Sequence, residues 1–411
     1  MEYGLIGEKL SHSFSPCIHS LLGEYAYELI PLKPGEVESF VRGHSYRGLN
    51  VTIPYKKTVV SMCDRLSPEA EETGSVNTLA FDSGGRLIGH NTDIAGFIWM
   101  ADRKGVSMSG RKVVILGSGG TSHTAAAAAK RMGAREIAVI SRSGPDNYGN
   151  LEKHADAEVL VNTTPVGMYP DNGKAILDLR LFPKLLGVLD VIYNPLRTKL
   201  IIQAEELGIA CSSGLPMLVG QAAGSFGIWS GDSVPPARVE EILKKLKKSL
   251  TNLVLVGMPG SGKTTIASSA AKKLGREAID IDELVVKTAG KSIPEIFQAG
   301  GEEVFRDLES NAIKQVGKKN GCVISCGGGA VIREENYAPL RQNSVIIYVE
   351  RDLSLLPRQG RPLSQDADLA KMLEERLPRY LRFADARVSN NGSVSVAVKK
   401  VLEVFDEISG D

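Results

Sequence analysis

The stretch Asn252 to Thr265, NLVLVGMPGSGKTT, limits the folds open to this chain more than any other. An apolar run from Leu253 to Val256 enters Gly257 to Thr264, which fits G-x-x-x-x-G-K-[ST], and a helical pattern opens at Ile266 and Ala267. In such a loop the backbone around Gly257, Gly260, Ser261, Gly262 and Thr265 wraps a polyphosphate. Lys263 and the Thr264 hydroxyl then meet terminal oxygens and Mg²⁺. ATP is the expected ligand. The plain alternative, a glycine turn followed by a helix-opening lysine, explains neither the strand before it nor the helix after it. Because a fold of this kind opens with its P-loop strand, residues 251–411 form one expected domain with a parallel sheet. Residues 1–250 need an account of their own.

At about 150 residues per domain, 411 residues suggest two or three domains, and 43% hydrophobic content suffices for their cores. A formal net charge of +1 gives no bulk electrostatic case for nucleic acid or an anionic membrane, so small-molecule partners are expected. Cys17, Cys63, Cys211, Cys322 and Cys326 are few, odd in number and scattered, which argues for reduced thiols in a cytoplasmic setting. Cys322 and Cys326 flank a strand with no second Cys or His pair nearby, so they are read as structural. No signal-peptide pattern opens the sequence, and no apolar run approaches the roughly 20 residues of a membrane span.

From residue 3, short apolar runs alternate with helical segments in an α/β rhythm: YGLIG, Pro16 to Gly23, YELIPL, Gly35 to Val41 and GLNVTIP. Polar side chains crowd the turns between them. Ser13 and Ser15 precede Pro16, Thr52 and Lys56 follow a strand, and GSVNT and HNTD bring Asn77 and Asp93. Ligands in open α/β sheets bind at strand ends. A polyhydroxylated substrate needs such a lining, since an unpaired buried hydroxyl or amide costs about 1–3 kcal/mol. Taken singly, the serines read as helix-capping hydroxyls and Lys56 as a solvated charge.

Residues 111–141 supply a dinucleotide-binding βαβ unit. A strand, Val113 to Leu116, runs into Gly117-Ser118-Gly119-Gly120-Thr121, an alanine-rich helix follows, and a second strand spans Glu136 to Ile140. Ser122 replaces the third glycine of the usual fingerprint. After the second strand come Ser141-Arg142-Ser143 rather than the acidic residue that holds a ribose 2′-hydroxyl, so a 2′-phosphate and NADP(H) are preferred.

The ordered set YGLIG…SHSFSP, NVTIPYK, GSVNT, HNTDIAG, GSGGT, NTTPVGM, DVIYNP and GLPMLVGQAA resembles shikimate dehydrogenase over residues 3 to about 230. The resemblance implies a substrate part over 1–101 plus 214–250 and a Rossmann NADP-binding part over 102–213. It implies Lys56 and Asp93 as the catalytic pair. Ser13, Ser15, Thr52, Asn77, Asp93 and Gln221 would hold substrate hydroxyls and carboxylate, with Tyr193 nearby. Gly117, Ser118, Gly119, Gly120 and Thr121 would carry the pyrophosphate, and Ser141, Arg142 and Ser143 the adenosine phosphate. Family members often add a basic residue after the arginine, where this chain has Gly144-Pro145-Asp146. Hydride reduction of a ketone leaves an alkoxide, so Lys56 is expected as proton donor or electrostatic stabiliser, with Asp93 orienting it.

Residues 232–250 hold a Pro-Pro turn and an amphipathic, lysine-rich helix, a short stiff connection whose basic run reads as a solvated face. Beyond the P-loop, Asp280 and Asp282 are read as neighbours on a strand end, facing opposite ways. Arginines then recur beside glycine or proline turns: Arg306, Arg358, Arg361 and Arg376, with a second glycine turn around Gly328. Over residues 252 to about 410 this set resembles shikimate kinase. The resemblance implies that Lys263 contacts the ATP phosphates and that Thr264 and Asp280 serve Mg²⁺. Asp282, Arg306, Gly328 and Arg376 would hold shikimate. Arg361 would act from a short closing lid, and Arg358 would lie against adenine. Alignment and charge neutralisation are what phosphoryl transfer needs.

The expectation is an α/β enzyme of aromatic amino-acid (chorismate) biosynthesis with two activities, 3-dehydroshikimate and shikimate as substrates, and NADP(H), ATP and Mg²⁺ as cofactors. The rivals are a quinate-type NAD-dependent dehydrogenase fused to another small-metabolite kinase, and a catalytically silent metabolite sensor.

Overall fold

The alternating runs of the first half form a six-stranded sheet: β1 (Tyr3–Gly7), β2 (Tyr27–Pro31), β3 (Gly48–Val51), β4 (Arg65–Leu66), β5 (Thr78–Phe81) and β6 (Leu87–His90). Their spatial order is β2-β1-β3-β5-β6-β4. In this computed structural model, residues 2–10, 13–356 and 369–410 are described, so Arg358 and Arg361 lie outside the described residues. β1 runs parallel to β2 and β3, whereas β5 is antiparallel to both β3 and β6. The sequence marks polar turns at Asn77 and Asp93 without showing the antiparallel pair between them. That pair is closed by Asp82, whose Oδ1 accepts the Gly84 and Arg86 N–H groups. Reversing β5 puts its amino end, with Asn77, at the same sheet edge as the carboxyl ends of β1, β3 and β6. Ile6, Leu49, Val51 and Leu79 of this sheet share a buried core with Val37, Val41 and Val59.

The second sheet is wholly parallel: β7 (Lys112–Leu116), β8 (Glu136–Ile140), β9 (Val159–Asn162), β10 (Gly187–Asp190) and β11 (Ala210–Ser212), in order β11-β10-β9-β7-β8. Both faces are covered, which is why β7 reads as an unbroken apolar run. Val113 and Ile115 face Ala125, Ala128 and Ala129 of the helix Gly120–Arg131 and Ile94, Phe97 and Met100 of the helix Asp93–Arg103. Val114 and Leu116 face Leu179, Leu200 and Ile201. Small alanines let the helix Gly120–Arg131 lie close on the sheet.

Two units result, Met1–Leu246 and Lys247–Asp411. The helix Pro236–Leu250 buries Val239, Ile242, Leu243 and Leu246 and leaves Lys244 and Lys245 exposed, as its amphipathic spacing predicts. The second unit is built on β12 (Asn252–Val256), β13 (Ala278–Asp280), β14 (Val323–Ser325), β15 (Ser344–Glu350) and β16 (Ala386–Ser389). All are parallel, in order β13-β14-β12-β15-β16, with the P-loop strand in the centre. Ile266, Ala267 and Ala270 of the helix Lys263–Leu274, and Val398, Val401 and Phe405 of the helix Val394–Gly410, pack on one face.

The structure corrects one local reading. Asp280 ends β13, but Asp282 is not on the strand. The Asp280 side chain caps the helix Ile281–Ala289 by accepting the Asp282 and Glu283 N–H groups, so Asp282 sits in the first helical turn. Capping turns the chain before a two-residue strand alternation can be completed. All five cysteines are free, and Cys322 and Cys326 are buried on either side of β14. Among the described residues, no helix is long and apolar enough to cross a membrane.

Two candidate active sites

In the first unit Lys56, Asn77, Asp93 and Gln221 come together. Lys56 Nζ lies 2.6 Å from Asp93 Oδ2. Asn77 Nδ2 donates to Asp93 Oδ1 at 2.9 Å and to Gln221 Oε1 at 3.3 Å. Asn77 is 2% exposed and Asp93 7%, so the carboxylate has little water and depends on these two partners. Each member is set by its backbone. The Lys56 carbonyl accepts the Val76 N–H, Asn77 Oδ1 accepts the Thr92 N–H, and Asp93 opens a helix with its own N–H on Asn91 Oδ1. Gln221 comes from the helix Leu215–Ser230, which packs along the helix that begins at Asp93.

Behind this cluster is a layer that motif reading did not assign. Tyr27 donates its hydroxyl to Asn50 Oδ1 at 2.8 Å, and Asn50 Nδ2 donates to Ser225 Oγ at 2.8 Å and to Thr78 Oγ1 at 3.2 Å. Thr92 Oγ1 lies 3.3 Å from Ser225 Oγ. Asn50, Thr78 and Thr92 stand inside the quoted motifs, and Ser225 is one helical turn beyond Gln221; that spacing is the signal that could have found them. Of the other expected substrate residues, Ser13, Ser15 and Tyr193 form a second group. Ser15 is buried, its N–H donates to Ser13 Oγ, and the intervening Phe14 ring packs on Tyr193 with centroids 5.5 Å apart. Neither serine caps the helix Ser15–Leu22 with its side chain. Burial pushes the Tyr193 phenol up. Thr52 shares the loop of Lys56, its N–H bound to the Ile6 carbonyl.

The expected dinucleotide loop joins β7 to the helix Gly120–Arg131. Gly117 has φ +105°, and a side chain there would strike Thr163 Oγ1. Gly119 and Gly120 have open space around them, and no side chain caps the helix start. This cradle fits a pyrophosphate. Ser122, in place of the third glycine, donates its hydroxyl to the Gly119 carbonyl at 2.6 Å and tightens the turn. After β8, Ser141 Oγ accepts the Gly144 N–H at 2.7 Å, while Arg142 and Ser143 are exposed.

In the second unit the P-loop and the glycine turn face one cleft of about 640 Å³. Lys263 Nζ donates to the Gly257 and Met258 carbonyls, both at 3.0 Å. Thr264 Oγ1 donates to Asp280 Oδ2 at 2.9 Å, two oxygens of the kind that hold Mg²⁺. Asp280 and Asp282 both line this cleft, rather than facing opposite ways from a strand end. Arg306, 4% exposed, pairs with Glu309 at 2.7 Å and Glu302 at 2.9 Å. Burial pushes the Glu309 carboxyl up, against the pull of Arg306. Arg376 donates to the Gly328 carbonyl at 3.3 Å, and Tyr380 donates to the same oxygen. The run Gly327-Gly328-Gly329 has three separate causes. A side chain at the first would meet the Asp282 and Glu309 carboxylates, at the second Pro259 of the P-loop, and at the third the Arg306 guanidinium. Glu309, one turn from Arg306 on the same helix, was missed by sequence reading.

Comparisons with known proteins agree with this division. The model described as shikimate dehydrogenase substrate binding domain matches residues 5–79, and the shikimate 5′-dehydrogenase C-terminal domain matches 214–244. The shikimate kinase model matches 259–406. A shikimate dehydrogenase (NADP(+)) of Clostridium perfringens is 35% identical over 266 residues, covering 60% of this chain and 98% of that protein. A chorismate mutase/shikimate 5-dehydrogenase fusion protein from Clostridium acetobutylicum is 35% identical with a TM-score of 0.58, over 60% of this chain and 97% of that one. Shikimate 5-dehydrogenase from Thermus thermophilus, in complex with NADP(H) and shikimate, is 31% identical with a TM-score of 0.54, over 60% and 99%. The chain therefore belongs to the shikimate dehydrogenase family and carries a shikimate kinase domain in the same polypeptide.

Proposed function

We propose that this protein reduces 3-dehydroshikimate to shikimate with NADPH and then phosphorylates shikimate with ATP to shikimate 3-phosphate. The observation that carries the reading is that the two family matches, in one chain, name consecutive reactions on one metabolite. The same matches disfavour a quinate dehydrogenase joined to an unrelated kinase, and the intact Lys56–Asp93 pair and P-loop disfavour a silent sensor.

When bound, NADPH supplies the hydride to the keto carbon. Lys56 Nζ, fixed by Asp93, then stabilises the charge that develops on the oxygen and delivers a proton to it. Asn77 and Gln221 hold substrate hydroxyls from the same cluster, and Ser13, Ser15, Thr52 and Tyr193 close the carboxylate side. The loop Gly117 to Thr121 receives the pyrophosphate at a helix N-terminus, and Arg142 with Ser141 and Ser143 reads the 2′-phosphate.

In the kinase unit Lys263 neutralises phosphate charge, Thr264 and Asp280 hold Mg²⁺, and Asp282 accepts from the substrate hydroxyls. Arg306, Arg376 and Gly328 seat the carboxylate side. Arg361 in the lid and Arg358 at adenine rest on the family resemblance alone. Free thiols and a near-neutral net charge support a cytoplasmic protein acting on small molecules. Initial rates with each cofactor and substrate pair test the reading. Turnover with 3-dehydroshikimate and NADPH, and with shikimate and ATP–Mg²⁺, is expected. Preference for NADH and quinate, or no turnover in either unit, would overturn it.

A further inference from the structure

We propose that Arg351 grips the non-transferred phosphates of the nucleotide in the kinase unit, an inference that rests on the kinase reading above. The strand order β13-β14-β12-β15-β16 divides the cleft at the P-loop strand β12. Asp280, Asp282 and the glycine turn 327–329 follow β13 and β14, so the acceptor and the metal pair lie on that flank. Arg351 follows β15 directly and Asn390 follows β16, both on the opposite flank. A nucleotide whose terminal phosphoryl faces the acceptor therefore presents its α- and β-phosphates toward β15.

Three observations aim Arg351 at that place. It lines the same cleft as Gly262 and Lys263. Its Nη1 is 3.9 Å from where a side chain on Gly262 would begin, on the side where Asn390 Nδ2 donates to the Ser261 carbonyl at 2.7 Å. Its Nε is buried without a hydrogen-bond partner among the described residues, a costly arrangement that a phosphate oxygen would relieve. The other arginines of the described cleft act on the acceptor flank, Arg306 on Glu302 and Glu309 and Arg376 on the Gly328 carbonyl. Apart from Lys263, Arg351 is the cation of the described cleft that lies beside the P-loop on the β15 flank. A planar guanidinium suits phosphate oxygens bidentately.

The test uses the intact chain with Arg351→Met and Arg351→Lys. Dissociation constants are measured for ADP and ATP, with kcat and KM for both kinase substrates. Arg351→Met is expected to weaken ADP and ATP equally, by about 10- to 100-fold for a lost charge-assisted contact. Arg351→Lys should recover part of the loss, with KM for shikimate unchanged in both variants as the sign that the unit is folded. ADP affinity within twofold of the parent, or a loss confined to ATP, overturns the proposal. A parent chain that binds ADP but forms none from shikimate instead overturns the kinase reading and leaves the Arg351 measurement standing.

Discussion

Lys56 and Asp93 are 37 positions apart and meet at 2.6 Å, because a three-strand register brings one loop and one helix start to the same sheet edge. In the proposed scheme, removing the amine takes away a proton donor, which costs about 10²- to 10⁴-fold in rate. Lys56→Ala is therefore expected to lose 3-dehydroshikimate reduction while phosphorylation of added shikimate stays at the parental rate; reduction at the parental rate would refute the assignment. A second buried carboxyl, Asp190, accepts from Thr198 Oγ1, Asn162 Nδ2 and the Ile192 N–H, yet burial still pushes it from 3.8 up to about 7. As pH rises from 3.8 toward 7, the unfolded chain gives up this proton first, so the folded state loses stability, by up to about 1.4 kcal/mol per pH unit. Above 7 both states are ionised and the loss is complete. Unfolding of the dehydrogenase unit should show that slope between about pH 5 and 7, and Asp190→Asn should lack it. Equal slopes would show that Asp190 does not titrate there.

At the scale of elements, local signals were legible and folded contacts were not. The apolar run of β12, the P-loop and the βαβ unit of 112–140 each rest on neighbours in sequence, and the structure has them at those residues. Asp282 was misplaced because Asp280 acts as a helix cap, a competition between strand alternation and side-chain capping that composition does not decide. Ser225 is 175 positions from Asn50, and only its one-turn spacing from Gln221 points to it. Glu309 was within reach, since Arg306 and Glu309 are i, i+3 neighbours on one helix. The glycine turn is where element and function meet. A methyl group at Gly329 would run into the Arg306 guanidinium, so Gly329→Ala must displace Arg306. The expected outcome is a rise in KM for shikimate of about tenfold or more, as for one lost charge-assisted contact, with ATP binding and the reductase untouched. An unchanged KM for shikimate would mean that Arg306 does not hold the substrate.

The whole molecule has two units, the first with two sheets and the second with one, each with its own buried core and candidate site. In the proposed scheme the product of one unit is the substrate of the other. The most direct measurement follows NADPH loss and ADP formation together in the intact chain given 3-dehydroshikimate, NADPH, ATP and Mg²⁺. ADP should appear only after NADPH is consumed and should reach one equivalent per NADPH. With Lys56→Ala, ADP should form from added shikimate but not from 3-dehydroshikimate. NADPH oxidation without ADP, or ADP formed from 3-dehydroshikimate with no NADPH present, would contradict the account.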